Sequence, residues 1–312
     1  MSYSDRMQKS HMYSVYFAPR GQARLADLGM QIAQQFLSPF DKIIGLVGDS
    51  GSGKSMFAKG MFPGLELTND DSGVNVRPLP LLSVGEESGF YTPHTYHLDI
   101  RFEAAFTQMH ELATCILEAV RLEKRVIVEH FELVYPFLNR NADLLIGIGE
   151  QLLITRPTLF GPEPREIADQ VFKTLPLRLM THSAEDITSY CLAADGQREP
   201  YVHADVQHGF ILSYQNKVNI DIQRLEAQVN DMIALDIPIS YDDDTHIRIG
   251  SERWPCSGPR MHVKSTGEIH KVTFYKDLLV EPITGRHLLL GLVGEAGENK
   301  HSKKLSDLNK IM

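Results

Sequence analysis

The chain has 312 residues, 43% of them hydrophobic and 23% charged, with a formal net charge of −9. That profile fits a soluble globular protein of one or two domains and speaks against wholesale disorder. The acidic balance also argues against a general nucleic-acid coat, which needs a clustered basic face.

Residues 1–11 are polar and lack a signal-peptide core, and no apolar run approaches the roughly 20 residues of a spanning helix. The three cysteines, Cys115, Cys191 and Cys256, are far apart, odd in number and include no C-x-x-C. Together these features predict a cytoplasmic, reducing location with no membrane partner and no disulfide framework. Residues 13–17 read as a strand, and residues 22–36 as a helix with Leu25, Leu28, Ile32 and Phe36 on one face.

Next comes Gly48-Asp49-Ser50-Gly51-Ser52-Gly53-Lys54-Ser55, a complete G-x-x-x-x-G-K-[ST] pattern between an apolar run at 43–47 and a helical run from Ser55. Glycines let the backbone wrap a polyphosphate with its N–H groups turned inward, Lys54 reaches the β and γ phosphates, and the Ser55 hydroxyl is offered to Mg²⁺. The helix adds its positive N-terminal end. The motif predicts binding of ATP or GTP with Mg²⁺.

A strand expected at 65–68 leads into Asn69-Asp70-Asp71-Ser72-Gly73. These carboxylates suit Mg²⁺ binding or general-base work on an acceptor hydroxyl, and they equally suit an Asx-rich turn. Residues 74–98 read as a long loop over the site. From 102 to about 124, Ala105, Phe106, Met109, Leu112, Ala113, Ile116, Leu117 and Val120 recur at helical spacing, predicting one amphipathic helix, with His110 packed or solvated. The run 125–130 is β-branched and ends in a carboxylate, Glu129, which either faces the metal and phosphates or is a plain edge carboxylate. A further strand at 143–149 completes an alternating pattern for a parallel sheet. Residues 156–165 form a candidate lid whose arginines, Arg156 and Arg165, suit phosphate oxygens or solvent.

In the order of its parts, this half resembles the uridine kinase-like branch of P-loop kinases: phosphate loop, carboxylates after a second strand, a strand ending in Val128-Glu129, and an Arg-bearing segment. The resemblance implies a P-loop NTPase parallel sheet with flanking helices over residues 1–174. Within it Lys54, Asp70 and Glu129 would be catalytic, and Asp70, ahead of Asp71, would be the base on a small-molecule acceptor. The aromatic pair that follows this Asp in the family is replaced by Asp71-Ser72-Gly73.

Near 173–176 the alternation gives way to α+β patterning. His182 and Asp186 stand at i and i+4 of a helical stretch, as two metal ligands on one face or as a surface pair. A strand is expected at 209–214, a helix at 221–235 with Leu225, Val229, Met232 and Ile233 inward, and a strand at 237–241 followed by a solvated acidic turn, Asp242-Asp243-Asp244. In Trp254-Pro255-Cys256-Ser257-Gly258-Pro259-Arg260-Met261-His262-Val263, Cys256 and His262 can offer a thiolate and an imidazole to Zn²⁺.

This stretch and the Thr266-Gly267-Glu268-Ile269 that follows resemble the Cys-x-Gly-[Thr/Pro]-His-Val…Thr-Gly-Glu-Ile signature of the second additional, editing domain of alanyl- and threonyl-tRNA synthetases. The resemblance covers about 175–293, ending in a strand at 285–290. It implies an α+β editing-type domain with His182, Asp186, Cys256 and His262 as zinc ligands. Asp186 stands where the family has a second His, and Arg260 and Met261 are an insertion before His262. Residues 294–312 are expected to fray.

The leading expectation is an ATP- and Mg²⁺-dependent phosphotransferase whose editing-like domain recognises an amino acid or the acceptor end of a tRNA. The alternatives are a metal-dependent aminoacyl-tRNA deacylase and a non-catalytic nucleotide-gated sensor.

Overall fold

The computed structural model describes residues 12–65, 67, 94–294, 305 and 308–309. The chain divides into two compact units, Met1–Ala18 with Gln22–Leu175, and Pro19–Gly21 with Pro176–Met312.

Along the first unit run β1 (Met12–Phe17), α1 (Gln22–Phe36), β2 (Ile43–Val47), α2 (Lys54–Met61), β3 (Thr95–Asp99), α3 (Ile100–Glu103), α4 (Met109–Arg121), β4 (Arg125–Glu129), α5 (Phe131–Leu138), β5 (Leu144–Ile148) and β6 (Gln151–Arg156). Helix α6 (Pro164–Ala194) begins in this unit, and the division between units falls inside it, at Pro176.

The six strands form one sheet in the order β1-β6-β5-β2-β4-β3. Every residue of β2 and β5 is buried, as expected of strands covered on both faces. Alternate residues feed two apolar layers. Ile43, Val47, Val126, Val128 and Leu145 pack with Leu112, Ile116, Phe131 and Val134. Ile44, Leu46, Ile127, Leu144 and Ile146 pack with Leu25, Ile32, Phe57 and Met61. Each fully buried aliphatic side chain contributes about 1.5–3 kcal/mol. Gly60 sits where α1 and α2 meet so closely that a Cβ would lie 2.1 Å from the Ala26 carbonyl oxygen.

The sheet is mixed, whereas alternation predicts a parallel one. Strands β5, β2, β4 and β3 are parallel, but β6 returns antiparallel on β5, and β1 pairs antiparallel with β6. Only Gly149 and Glu150 link β5 to β6, too few residues for a parallel crossover.

Three other expectations are corrected. No strand includes Leu65 or Leu67, the two described residues of 65–68. Residues 95–98 are not loop, because the buried run Tyr96-His97-Leu98 pairs in parallel with β4 as β3. The helix expected over 102–124 is two helices, because Asp99 caps α3 through the Phe102 N–H, and α4 starts anew where the Gln108 N–H donates to Glu111 Oε2. Phe106, expected on the core face, lies between them and is 64% exposed.

The second unit holds the end of α6, then β7 (Tyr201–Val206), β8 (Gly209–Tyr214), α7 (Ile222–Ala234), β9 (Ile239–Asp243), β10 (His246–Ile249), β11 (Glu252–Pro255), a 3-10 turn (Thr266–Ile269), β12 (Val272–Phe274), β13 (Leu279–Val280) and β14 (His287–Val293). One antiparallel sheet runs β12-β14-β8-β7 with β13 beside β14, and a second runs β11-β10-β9. Asp221 caps α7 by accepting from the Arg224 N–H, and Leu225, Val229 and Ile233 turn inward, one per helical turn, onto a core with Phe210, Leu212, Ile247 and Phe274.

Asp242 and Asp243 belong to β9 and pair with Arg248 and Arg253, so the acidic run is only partly a turn. Leu308 packs against the cluster of Val206, Leu290 and Leu292, and the Gln207 N–H donates to Asn309 Oδ1, so these two tail residues are held rather than frayed. Among the described residues no helix is long and apolar enough to cross a membrane.

Candidate functional site

In the first unit the glycine-rich loop joins the end of β2 to the start of α2, at the C-terminal edge of four parallel strands. In open α/β sheets that edge is where ligands bind. Gly51 and Gly53 have φ of 76° and 89°, left-handed backbone that favours glycine, and the loop turns there into α2. Gly53 caps α2 without a side-chain acceptor, so no cap side chain takes up the first-turn N–H groups. Ser52 and Lys54 are buried, and the Lys54 ammonium folds back over the loop, donating to the Asp49 carbonyl at 3.0 Å.

Two strand ends face this loop. Asp99 and Glu129 stand side by side in the parallel register of β3 and β4, and Glu129 is level with Leu46 of β2. Glu129 Oε2 lies 3.9 Å from Lys54 Nζ, and His97 Nε2 is 3.0 Å from Glu129 Oε1. Burial alone would raise the Glu129 carboxyl, but His97, Lys54 and the Ser55 hydroxyl outweigh it and hold it below its ordinary range. Burial draws Lys54 downward against the pull of Glu129, Asp99 and Glu132. Arg101, two residues after Asp99, pairs with Asp49 in the loop, and its hydrogen bond is the main reason the Asp49 carboxyl is lowered.

The structure brings Gly48 through Ser55 together with Glu129, and sets beside them three residues that sequence reading did not single out: His97, Asp99 and Arg101. Their signal was the buried Tyr96-His97-Leu98 run ending in Asp-x-Arg, hidden by reading it as loop. Asp70 and Asp71 lie outside the described residues. Arg156 does not serve as a clamp: it is 4% exposed and donates to both Asp41 oxygens at 2.6 and 2.7 Å. Arg165 is exposed near the start of α6.

In the second unit four donors converge from two segments. His182 and Asp186 lie one turn apart on α6, and Cys256 and His262 flank a loop after β11. One ligand atom of each lies within 4.8 Å of every other. Cys256 Sγ is 3.4 Å from His182 Nε2 and 3.7 Å from His262 Nε2, and His262 Nε2 is 2.8 Å from Asp186 Oδ2. Arg260 and Met261, which stand between Cys256 and His262, do not break the set. A turn closed by the Met261 N–H on the Gly258 carbonyl absorbs them, with Pro259 inside it, Met261 buried, and Arg260 over the Tyr241 ring.

Comparison of the chain with models of known protein families and with curated proteins gives no match.

Burial, then the carboxylates Asp186 and Glu185, push the Cys256 thiol far up, although the Gly258 N–H donates to its sulfur. Burial and the neighbouring His262 lower His182, leaving it neutral near pH 7. Burial would raise Asp186, but His182, His262 and Cys256 hold it low. A carboxylate, a sulfur and two imidazoles around one point are a donor set that suits a divalent cation. Edges of a tetrahedral N/S zinc shell are about 3.3–3.8 Å, and the two sulfur–nitrogen distances already fall there. His262 keeps Nε2 toward the cluster because its Nδ1 faces the Pro259 carbonyl at 3.3 Å.

Proposed function

We propose that the protein is a Mg²⁺- and nucleotide-dependent phosphotransferase acting on a small hydroxyl-bearing molecule, with a zinc-binding second unit of the tRNA-synthetase editing type. The observation that carries the first part is Lys54 set 3.9 Å from Glu129 between a glycine loop and the ends of parallel strands. The P-loop reading rests on this arrangement together with the intact motif.

In this reading the backbone N–H groups of residues 48–55 and Lys54 hold the β and γ phosphates. Ser55 and Glu129 hold Mg²⁺, whose bound charge neutralises the phosphates and orients them for transfer. Asp99, level with Glu129 at the strand ends, would accept the acceptor hydroxyl proton, the role that the kinase resemblance gave to Asp70. Arg101 stabilises charge developing on the transferred group, releasing Asp49 to do so.

A second reading, aminoacyl-ester hydrolysis at His182, Asp186, Cys256 and His262, draws on the same four-donor convergence. Four protein donors complete a tetrahedral shell and leave no open position for an activated water. The cluster therefore supports a closed site that shapes an amino-acid or aminoacyl recognition surface more than a hydrolytic centre.

The test is ATP and GTP consumption against a panel of nucleosides and amino acids, with Lys54→Ala as control. Acceptor-dependent turnover that drops at least about 100-fold in Lys54→Ala is the expected result. Tight nucleotide binding with no turnover on any acceptor would replace the phosphotransferase by a nucleotide-gated sensor.

A further inference from the structure

We infer that Glu185, held in place by Arg20 and His203, is a positioning residue that fixes the zinc-binding tautomer and orientation of His182. The inference rests on the zinc reading of the cluster.

His182, Glu185 and Asp186 occupy i, i+3 and i+4 of α6, so all three share one side of the helix. Asp186 turns to His262 and the donor set. Glu185 is 2% exposed and makes no approach to the other donors within hydrogen-bond distance. A buried carboxylate costs several kcal/mol unless it is paired, so its partners explain its presence. His203 Nδ1 lies 2.8 Å from Oε1, and Arg20 Nε donates to Oε2 at 3.2 Å.

Arg20 is itself fixed. Its Nη1 pairs with Asp205 at 2.8 Å and donates to the Gly209 carbonyl at 3.3 Å, and Nη2 donates to the Ala204 carbonyl at 3.4 Å. The guanidinium is thus tied to both strands of the β7–β8 hairpin, and it holds Oε2 of Glu185 in one place.

That oxygen lies 3.9 Å from His182 Nδ1, which is buried and has no hydrogen-bond partner. The other ring nitrogen, Nε2, is turned to Cys256 Sγ and the Gly258 carbonyl. An imidazole that ligates through Nε2 carries its proton on Nδ1, and a metal-bound His almost always donates that proton to a carboxylate or carbonyl. Glu185 is the carboxylate that lies nearest for it. The two His ligands are then oriented by different means, His262 by a backbone carbonyl and His182 by a charged side chain anchored through a residue more than 150 positions upstream.

The experiment reconstitutes the chelated full chain with Zn²⁺ and with Co²⁺, measuring stoichiometry, affinity by competition with a chromophoric chelator, and the Co²⁺ absorption bands. The wild type is expected to take up one ion. Glu185→Gln should keep that stoichiometry, bind zinc about 10–100-fold more weakly and shift the Co²⁺ bands. Glu185→Asp should recover part of the affinity, Arg20→Gln should weaken zinc in the same direction by a smaller factor, and the exposed Arg224→Gln should change nothing. Wild-type affinity and an unshifted Co²⁺ spectrum in Glu185→Gln would overturn the inference while leaving the zinc reading intact. No zinc uptake by the wild type would overturn the zinc reading and the inference with it. Should the variants fail to fold, ¹⁵N NMR of the zinc-loaded wild type decides. Ligation of His182 through Nε2 with a slowly exchanging Nδ1 proton supports the role of Glu185, and ligation through Nδ1 overturns it.

Discussion

The two candidate sites are built in opposite ways. In the first unit eight consecutive residues, Gly48 to Ser55, supply nearly all of the site, and two adjacent strand ends complete it. Cations and anions are already matched there: Lys54 stands against Glu129, and Arg101 against Asp49. In the second unit four donors come from segments about seventy residues apart, and they bring a carboxylate and a sulfur against two imidazoles. In the proposed reading the first site receives an anion on backbone N–H groups and the second a cation. The contrast teaches that local chain geometry suffices where the ligand is large and bound by backbone. Where one small ion fixes several side chains at once, tertiary packing has to deliver them.

The largest expected effect concerns the second site. Cys256→Ser removes the only sulfur donor of the set and should abolish stoichiometric zinc uptake, read by metal analysis of chelator-free protein. Retention of one tightly held zinc would show that the sulfur is not a ligand and would remove the contrast between the two sites.

A smaller effect sharpens the first site. Asp99→Asn should lower acceptor-dependent kcat by about 10²–10⁴ with little change in nucleotide affinity, as for loss of a general base. Asp70→Asn serves as the parallel variant. If Asp70→Asn loses turnover and Asp99→Asn does not, the base comes from the segment outside the described residues, and the strand end is only a cap for α3.

The smallest effect is on stability against pH. Glu129 has a folded-state pKa below its ordinary 4.5, so its contribution is complete above about pH 4.5 and is lost as pH falls through the lower folded value. Urea unfolding between pH 6 and pH 3 should show this loss in the wild type and a flatter profile in Glu129→Gln. An equally steep profile in the variant would mean that Glu129 is not held low by His97 and Lys54.

The sequence by itself determined the pieces that depend on neighbours in the chain. The 3.6 period of α1, the buried run of β2, the turn into α2 and the Lys54-Ser55 pair follow from local sterics and hydrogen bonding, and they were legible as such. The Val-Glu ending of β4 and the two donor pairs, His182 with Asp186 and Cys256 with His262, could also be named from residue type and spacing, while their union into one set came from the resemblance.

Tertiary structure alone decided what joins what. It put Asp99 beside Glu129, because strand pairing is a long-range choice that no local pattern encodes. It turned β6 back on β5 and consumed Arg156 in a buried pair with Asp41. It folded residues 258–261 into a turn, so that His262 meets Cys256, and it brought Arg20 to Glu185 across most of the first unit's sequence. A buried charge finds its partner only when the whole core closes around it, since the cost of leaving it unpaired appears only after water has been excluded.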